Sequence, residues 1–222
     1  MKKLVRIVGD IHGNFNEYSF NTLGIGRTRH MGDPVPPEYS IQVGDFGIGF
    51  YTSYWHDMVN DWMKTHTGHR FIRGNHDNPA KCFEMANWIY DGVVENDIMY
   101  VGGAWSIDHA LRTEGLDWWR DEELSVSQLN AIVDVYQDVK PRVMITHDCP
   151  TSVAWEMFIS KGLSLAGATQ IKTRTGEALQ AMWEMHKPEM WFFGHWHQTR
   201  DLTLHGTKFQ CVGANEYVDV DI

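Results

Sequence analysis

The feature that most constrains the fold is a short apolar run that recurs along the chain and ends in a polar, mostly glycine-containing cluster. The runs cover residues 4–8, 39–43, 70–73, 143–146 and 190–193. Short runs with β-branched and aromatic side chains are typical of buried strands. In α/β sheets the carboxyl ends of the strands open onto the crevice that binds ligands. The pattern therefore predicts strands whose polar ends meet at one edge.

Further strands are predicted at residues 98–101, 208–212 and 217–222, and amphipathic helices at 51–63 and 179–186. Ser125 and Gln128 form a capping box ahead of another apolar stripe, which predicts a third helix. Residues 108–123 are rich in Trp and charge without a clear period, so we expect a structured loop. Strands and helices that alternate in this way favour a layered α/β fold, and no linker interrupts a single domain over residues 1–222.

Composition excludes several classes of protein. The formal net charge is -10, which argues against a general nucleic-acid binder with a basic face. The 3 cysteines are widely spaced, so neither a disulfide framework nor a zinc knuckle is expected. The amino terminus lacks the pattern of a signal peptide, and no apolar run is long enough to cross a membrane. We therefore expect a cytoplasmic protein.

The polar clusters contribute carboxylate, amide and imidazole groups, and no thiolate. They are Asp10, His12, Asp45, Asn75, His76, His147, His195 and His197. Such donors suit Mn²⁺, Fe or Zn²⁺ and not copper(I) or iron–sulfur clusters. Each cluster alone is more typical of a turn or of a buried histidine with a hydrogen-bond partner. Their ordered occurrence after successive strands favours a shared metal site.

As an ordered set, the clusters resemble the motifs of the calcineurin-like metallophosphoesterase superfamily. They read Gly-Asp-Ile-His-Gly-Asn from Gly9, Gly-Asp from Gly44, Gly-Asn-His-Asp from Gly74, then His147, then Gly-His-Trp-His from Gly194. The match extends over nearly the whole chain. The resemblance implies a four-layer αββα sandwich with a dimetal site at the carboxyl ends of the sheet strands.

The resemblance also implies the roles of individual residues. The ligands of one metal are Asp10, His12 and His197, those of the other are Asn75, His147 and His195, and Asp45 bridges both. His76 matches the family's non-ligand histidine near the leaving group. Asp77 either orients the imidazole of His76, as a catalytic residue, or caps the turn.

Two divalent cations are therefore expected, with Mn²⁺ as the first choice and Fe or Zn²⁺ as alternatives. Cations about 3.5–4 Å apart need an anion between them, which Asp45 and a bridging hydroxide would provide. Binding to metal lowers the pKa of water towards about 7, so hydroxide is available at neutral pH for in-line attack on phosphorus. A protonated His76 would stabilise the departing oxygen.

The second motif departs from that of the Ser/Thr protein phosphatases of this superfamily. Those typically carry Gly-Asp-x-x-Asp-Arg-Gly, whereas this chain reads Gly-Asp-Phe-Gly-Ile-Gly from Gly44. We therefore favour a phosphodiesterase that acts on a nucleotide or another small diester. A phosphomonoesterase or a protein phosphatase is the alternative. A non-catalytic binding module is disfavoured because every ligand position is filled, and the acidic charge disfavours long nucleic acid.

The sequence indicates less clearly which side chains, apart from the bound metals, would contact the substrate. Asn75 and His76 are candidates, together with Arg112, which suits bidentate binding of phosphate, and His109 nearby. Arg112 could instead pair with Glu114 or Asp117. Trp118 and Trp119 either stack a base or belong to the core. Residues 161–174 form either a lid or an exposed loop.

Overall fold

The computed structural model describes residues 3–25, 35–162 and 172–222, and their strands lie in two sheets. The strands are β1 (Leu4–Val8), β2 (Tyr39–Gln42), β3 (His69–Phe71), β4 (Val94–Glu95), β5 (Ile98–Val101), β6 (Val143–Thr146), β7 (Met190–Phe193), β8 (Arg200–Leu204), β9 (Thr207–Cys211) and β10 (Tyr217–Asp221). The first sheet has the order β10-β1-β2-β3, and the second has the order β4-β5-β6-β7-β9-β8.

Side-chain caps satisfy a free amide group at the start of each of the helices named next except the one that follows Pro150. The helices are α1 (Ser53–Thr65), α2 (Pro79–Cys82), α3 (Val126–Val139), α4 (Thr151–Met157) and α5 (Arg174–Met185). The predicted capping box of Ser125 and Gln128 is present at the start of α3. Short π-helical and 3₁₀ turns lie at Glu17–Thr22, His109–Leu111 and Ile159–Lys161.

Successive side chains of a strand point to opposite faces, so each sheet packs against the other sheet on one face and against helices on the other. The apolar core therefore consists of three clusters, one between the sheets and one on the outer face of each sheet, which gives four layers. Ile7 of β1 and Ile145 of β6 belong to the cluster between the two sheets. On the outer face of the first sheet, Val59 of α1 packs with Phe71 of β3. Outside the second sheet, Trp183 of α5 belongs to a third cluster. The expected αββα sandwich is confirmed.

Strands β1, β2 and β3 are parallel to one another, as are β5, β6, β7 and β9. Parallel strands bring their carboxyl ends to the same edge of a sheet, so the polar clusters that follow them come together. The edge strand β8 and the short β4 were not predicted. Strand β8 alternates between exposed and partly buried residues, so it lacks the apolar run that marks a central strand.

Residues 102–123, which include the structured loop expected over 108–123, form a loop with a 3₁₀ turn, and Arg73 holds its two ends together. The amide of Gly103 donates to the carbonyl of Arg73 at 2.9 Å, while Nη1 of Arg73 donates to the carbonyls of Asp121 and Glu122 at 3.1 and 2.9 Å. Nε of Arg73 also pairs with Asp91 at 2.8 Å. Arg73 is 3% exposed, so its role here is structural.

None of the helices in the described ranges is both long enough and apolar enough to cross a membrane. The single domain and the cytoplasmic location stay predictions from the sequence. Most of the segment considered as a lid, residues 163–171, lies outside the described residues.

Candidate metal centre

Five loops that follow strand ends place the predicted donor atoms together between the two sheets. Asp10 and His12 follow β1, Asp45 follows β2, and the loop after β3 carries Asn75. The remaining donors follow β6 and β7 of the second sheet. They are His147, His195 and His197. Residues that are up to 187 positions apart in sequence thereby surround one point.

One set of donors, here called the first donor group, comprises Asp10, His12 and His197. Together with Asp45, each can offer an atom that lies within 4.8 Å of the others. Nε2 of His197 is 3.0 Å from Oδ2 of Asp10 and 3.0 Å from Nε2 of His12. Carboxylate and imidazole atoms this close to one another form a set suited to one divalent cation.

The second donor group comprises Asn75, His147 and His195. Oδ1 of Asn75 lies 2.9 Å from Nε2 of His147 and 2.9 Å from Nδ1 of His195. Nδ1 of His147 donates to the carbonyl oxygen of Val43 at 2.8 Å, which leaves its Nε2 lone pair directed to the cluster. An amide oxygen and two imidazoles therefore converge beside the first donor group.

Asp45 lies between the two groups and directs one carboxylate oxygen to each. Its Oδ1 is 3.4 Å from Nε2 of His147, and its Oδ2 is 3.8 Å from Nε2 of His12. The side chain is buried and also accepts a hydrogen bond from the amide of His76 at 2.8 Å. This geometry fits a carboxylate that two cations share.

Several of the donors have backbone conformations that non-glycine residues rarely adopt. His12, Asp45, His195 and His197 have φ angles of 46°, 57°, 65° and 54°. Left-handed residues of this kind cluster at functional sites, where the surrounding structure over-determines them. No local sequence pattern indicated these conformations.

Close approach between loops explains two of the glycines in the motifs. A Cβ atom on Gly74 would lie 2.0 Å from Oδ1 of Asp45, and one on Gly194 would lie 2.2 Å from Oδ1 of Asp10. Either contact is far inside van der Waals distance. Only glycine lets these loops approach the carboxylates that they support.

The electrostatics of the cluster suit cations. Burial and the neighbouring carboxylates Asp10 and Asp77 raise the pKa of Asp45 well above its ordinary value, because a further negative charge is unfavourable where water is scarce. A bound cation would offset that repulsion. Burial lowers the pKa of His147 to about 3, which keeps its imidazole in the neutral form that binds metal. These donors therefore fit two divalent cations.

The cluster opens into a cavity of about 580 Å³. His12, Asp45, Asn75, His76 and His195 all line it, so a molecule in the cavity would contact both donor groups. Its other walls are largely aromatic or aliphatic, a feature that the sequence did not indicate. They include Phe50, Tyr51, Trp105, Ile107 and Trp196.

The family model for calcineurin-like phosphoesterases matches residues 4–199, which include all of these donors. The chain belongs to the calcineurin-like phosphoesterase family. Members use divalent metals, so the family and the donor set agree on the kind of site.

A structural comparison finds likeness between this chain and a Staphylococcus aureus protein named as a 5'-nucleotidase, solved in complex with alpha-ketoglutarate. The TM-score is 0.51 at 13% sequence identity, which supports likeness of fold alone. The match covers 97% of this chain and 49% of the other, so this chain spans about half the length of that protein. No curated protein sequence matches this chain significantly.

His76 lies beside the donors, on the same loop after β3 that carries Asn75. Its ring centroid lies 5.6 Å from that of His12 and 6.0 Å from that of Phe50. Burial, assisted by the nearby Arg112 guanidinium, lowers the pKa of His76 to about 3. Its imidazole is therefore neutral at neutral pH until a substrate brings negative charge.

Asp77 takes the turn-capping role of the two that the sequence left open. Its Oδ1 accepts from the amides of Gly47 and Ile48 at 2.7 and 2.8 Å. Its Oδ2 accepts from the amides of Phe46 and Gly74 at 3.0 and 2.8 Å. This buried carboxylate joins two ligand loops because its oxygens face main-chain amides, and its expected catalytic role stays a prediction.

Arg112 lines the cavity but is already paired. Its Nε and Nη2 bind the two carboxylate oxygens of Asp108 at 2.8 and 2.7 Å. The partner is therefore neither Glu114, which pairs with Arg120, nor the Asp117 carboxylate. A phosphate contact from Arg112 would have to share the guanidinium with Asp108.

Other sequence candidates lie behind the cavity wall. His109 packs between Trp105 and Trp118, with centroid distances of 5.3 and 5.8 Å, and does not line the described cavity. Trp119 is 7% exposed and packs against Phe50. Of the two readings of Trp118 and Trp119, the structure favours packing. Phe50 and Trp105 instead present aromatic surface to the cavity.

Proposed function

We propose that this chain is a dinuclear metal-dependent phosphodiesterase that cleaves small diesters with a planar organic group, such as nucleotides. The observation that carries the proposal is the placement of Asp45, with one carboxylate oxygen towards each donor group. A single cation would not need a shared carboxylate of this kind.

In this proposal the first donor group holds one cation, the second donor group holds the other, and Asp45 contacts both. When bound, the two cations would supply a water of lowered pKa as nucleophile and neutralise the charge on the phosphate oxygens. Mn²⁺ remains the first choice because carboxylate, amide and imidazole ligands all accommodate it, and Fe or Zn²⁺ fits the same donors.

His76 is proposed to act on the leaving group, since its imidazole lines the cavity without belonging to either donor group. The negative charge of a bound ester would raise its pKa from the low value of the free protein. The imidazole can then hold a proton for the departing oxygen.

The charge of the cavity favours a diester. Among its described lining residues, Arg112 is the one guanidinium or ammonium group, and Asp108 neutralises it. The Asp148 carboxylate also lines the cavity. A monoester carries up to two negative charges at neutral pH, whereas a diester carries one, so the fixed charges present less repulsion to a diester.

The aromatic wall favours a planar organic group on that diester. Phe50, Trp105 and Trp196 line the cavity, and Trp196 is held in place by stacking on Phe158 at 4.5 Å. Stacking of a base on an aromatic side chain contributes about 1–3 kcal/mol. We therefore expect a nucleotide or another aryl ester to bind better than an alkyl ester of equal charge.

The test is a substrate panel measured with added Mn²⁺ and again after chelation. It contains bis-p-nitrophenyl phosphate, p-nitrophenyl phosphate, cyclic nucleotides and a phosphopeptide. We expect the highest kcat/KM on the aryl and nucleotide diesters, loss of turnover with EDTA and recovery with Mn²⁺. Faster cleavage of the phosphopeptide or of the aryl monoester would support the phosphatase alternative. Absence of metal-dependent turnover would support the non-catalytic module.

Asp108→Asn probes the charge argument directly, because it frees Arg112 while keeping the shape of its partner. We expect kcat/KM for p-nitrophenyl phosphate to rise relative to that for the diester. Glu114→Gln is the matched control, since it frees Arg120 in the same loop at an exposed position outside the described cavity. Equal ratios in both variants would refute the role assigned to the Arg112–Asp108 pair.

A further inference from the structure

A continuous hydrogen-bond chain runs from the second donor group into the protein through two residues that no motif includes. Nδ2 of Asn75 donates to Oγ of Ser106 at 3.0 Å. Oγ of Ser106 donates to Oε2 of Glu122 at 2.5 Å, and the amide of Ser106 donates to Oε1 at 2.9 Å. All three side chains are buried, with Ser106 1%, Asn75 2% and Glu122 3% exposed.

The chain has a fixed direction because of the chemistry of its last member. An ionised carboxylate only accepts hydrogen bonds, so the Ser106 hydroxyl must donate to Glu122. The hydroxyl oxygen is then left as an acceptor, which requires the NH₂ side of the Asn75 amide. The amide oxygen consequently faces His147 and His195, at 2.9 Å from each.

We propose that Ser106 and Glu122 are positioning residues that fix the amide of Asn75 with its oxygen towards the second cation. The inference rests on the proposed function, in which Asn75 is a ligand of that cation. Without this chain the amide could turn and present NH₂, a pure donor, to the cation. Partners of metal ligands that set their orientation commonly change metal affinity by about 10–100-fold.

The same chain ties the substrate cavity to the metal centre. Ser106 directly precedes Ile107 and Asp108, which line the cavity, and Glu122 lies at the end of the loop that Arg73 closes. The Glu122–Ser106 contact therefore closes that loop a second time. A change that opens the loop would also release Asn75, so the placement of the cavity wall and the second cation are linked.

Glu122→Gln is the most direct test because it keeps size and shape. A glutamine offers one acceptor oxygen and one NH₂ group to the two donors of Ser106, so either the hydroxyl reverses or two donors oppose each other. Reversal of the hydroxyl would turn the Asn75 amide. We expect the Mn²⁺ that binds the second donor group to bind about 10–100-fold more weakly, and the Mn²⁺ of the first donor group to keep its affinity.

Isothermal titration with Mn²⁺ measures both affinities, and Asn75→Ala shows which of them belongs to the second donor group. Ser106→Ala breaks the chain at its centre and should give the same selective loss. Glu123→Gln is the matched control, since Glu123 is also buried but accepts from Arg174 and from the amide of Thr175. General damage to the fold would instead weaken both sites and lower the midpoint of thermal unfolding.

The inference is overturned if the two variants bind both Mn²⁺ ions as the wild type and the Glu123→Gln control do. It is also overturned if they lose both affinities in parallel. These results are distinguishable from failure of the proposed function. In that case the wild type itself would bind fewer than two Mn²⁺ ions or would hydrolyse none of the panel.

Discussion

Asp45 combines a rare backbone conformation with the central side chain of the site. Its φ of 57° would cost about 1–3 kcal/mol in an unconstrained chain. The carbonyl of Asp45 accepts from the amides of Ile11 and His12 at 3.2 and 2.8 Å, so the loop after β1 holds it in this conformation. The strain is therefore maintained by contacts between the loop that carries Asp45 and the loop that carries Asp10 and His12 of the first donor group.

Asp45→Asn should weaken both metal sites together. The amide replaces one of the two carboxylate oxygens with an NH₂ group, which cannot bind a cation, and it removes the negative charge that both cations would share. We expect at least about 10-fold weaker binding of each Mn²⁺, on the scale of lost ligand contacts. Isothermal titration measures the two affinities. Asp134→Asn on the exposed side of α3 is the control. One site with unchanged affinity would contradict the shared carboxylate.

His76→Ala should keep both metals and lose most of the turnover. The imidazole lines the cavity outside both donor groups, so its removal deletes a contact with the leaving group and no ligand. A positioned acid or base contributes typically about 10²–10⁴-fold to rate. Metal content and kcat should be measured on the same preparation. Loss of metal in this variant would place His76 among the ligands.

At the scale of elements, the site is a junction of loops that approach to within contact of one another. Asp77 joins the loops after β2 and β3 through four main-chain amides. Gly74 and Gly194 allow the loops after β3 and β7 to lie against carboxylates of the loops after β2 and β1. The parallel strands bring these loops to the same edge of each sheet, and the contacts between the loops set the distances between the donor atoms.

Gly74→Ala should displace the loop after β3 from Asp45, because the added Cβ would lie 2.0 Å from its Oδ1. A shift of about 1 Å in a positioned group can lower activity about 10²-fold. We expect a loss of that size in kcat/KM with weaker binding of Mn²⁺. Gly206→Ala in the β8–β9 hairpin is the contrast, since its φ of 89° strains the backbone of the variant but its Cβ would meet nothing within 4 Å. Equal activity in the two variants would exclude the proposed collision.

At the scale of the whole molecule, the burial of His69 makes the free energy of unfolding depend on pH. His69 belongs to neither donor group. His69 in β3 is 6% exposed, and its Nδ1 lies 2.9 Å from Oγ of Ser40. Burial lowers the pKa of His69 from 6.5 to about 4. The unfolded chain therefore binds a proton more readily than the folded chain between these values.

The contribution of His69 to stability is thus full above pH 6.5 and is lost as pH falls towards about 4. We expect His69→Gln to unfold with a shallower dependence on pH in this window than the wild type. Urea denaturation at a series of pH values measures the difference. Parallel curves for the two proteins would show that His69 does not titrate with folding.

The residues alone determined the strands with strong apolar runs, such as Leu4–Val8 and Met190–Phe193, and the helix that begins at the capping box of Ser125. These follow from local periodicity, which short windows of sequence contain. The resemblance of the ordered motifs to a known family supplied the donor set. It did so because those residues follow strand ends whose positions the fold dictates.

Tertiary structure alone decided which side chains those donors meet. Ser106 and Glu122 reach Asn75 from 31 and 47 positions away, and Asp108 takes Arg112 although the sequence suggested other partners. The aromatic wall from Phe50 to Trp196 is assembled from separate loops. Such contacts depend on how the chain returns upon itself, and neither spacing nor residue type within one segment contains that information.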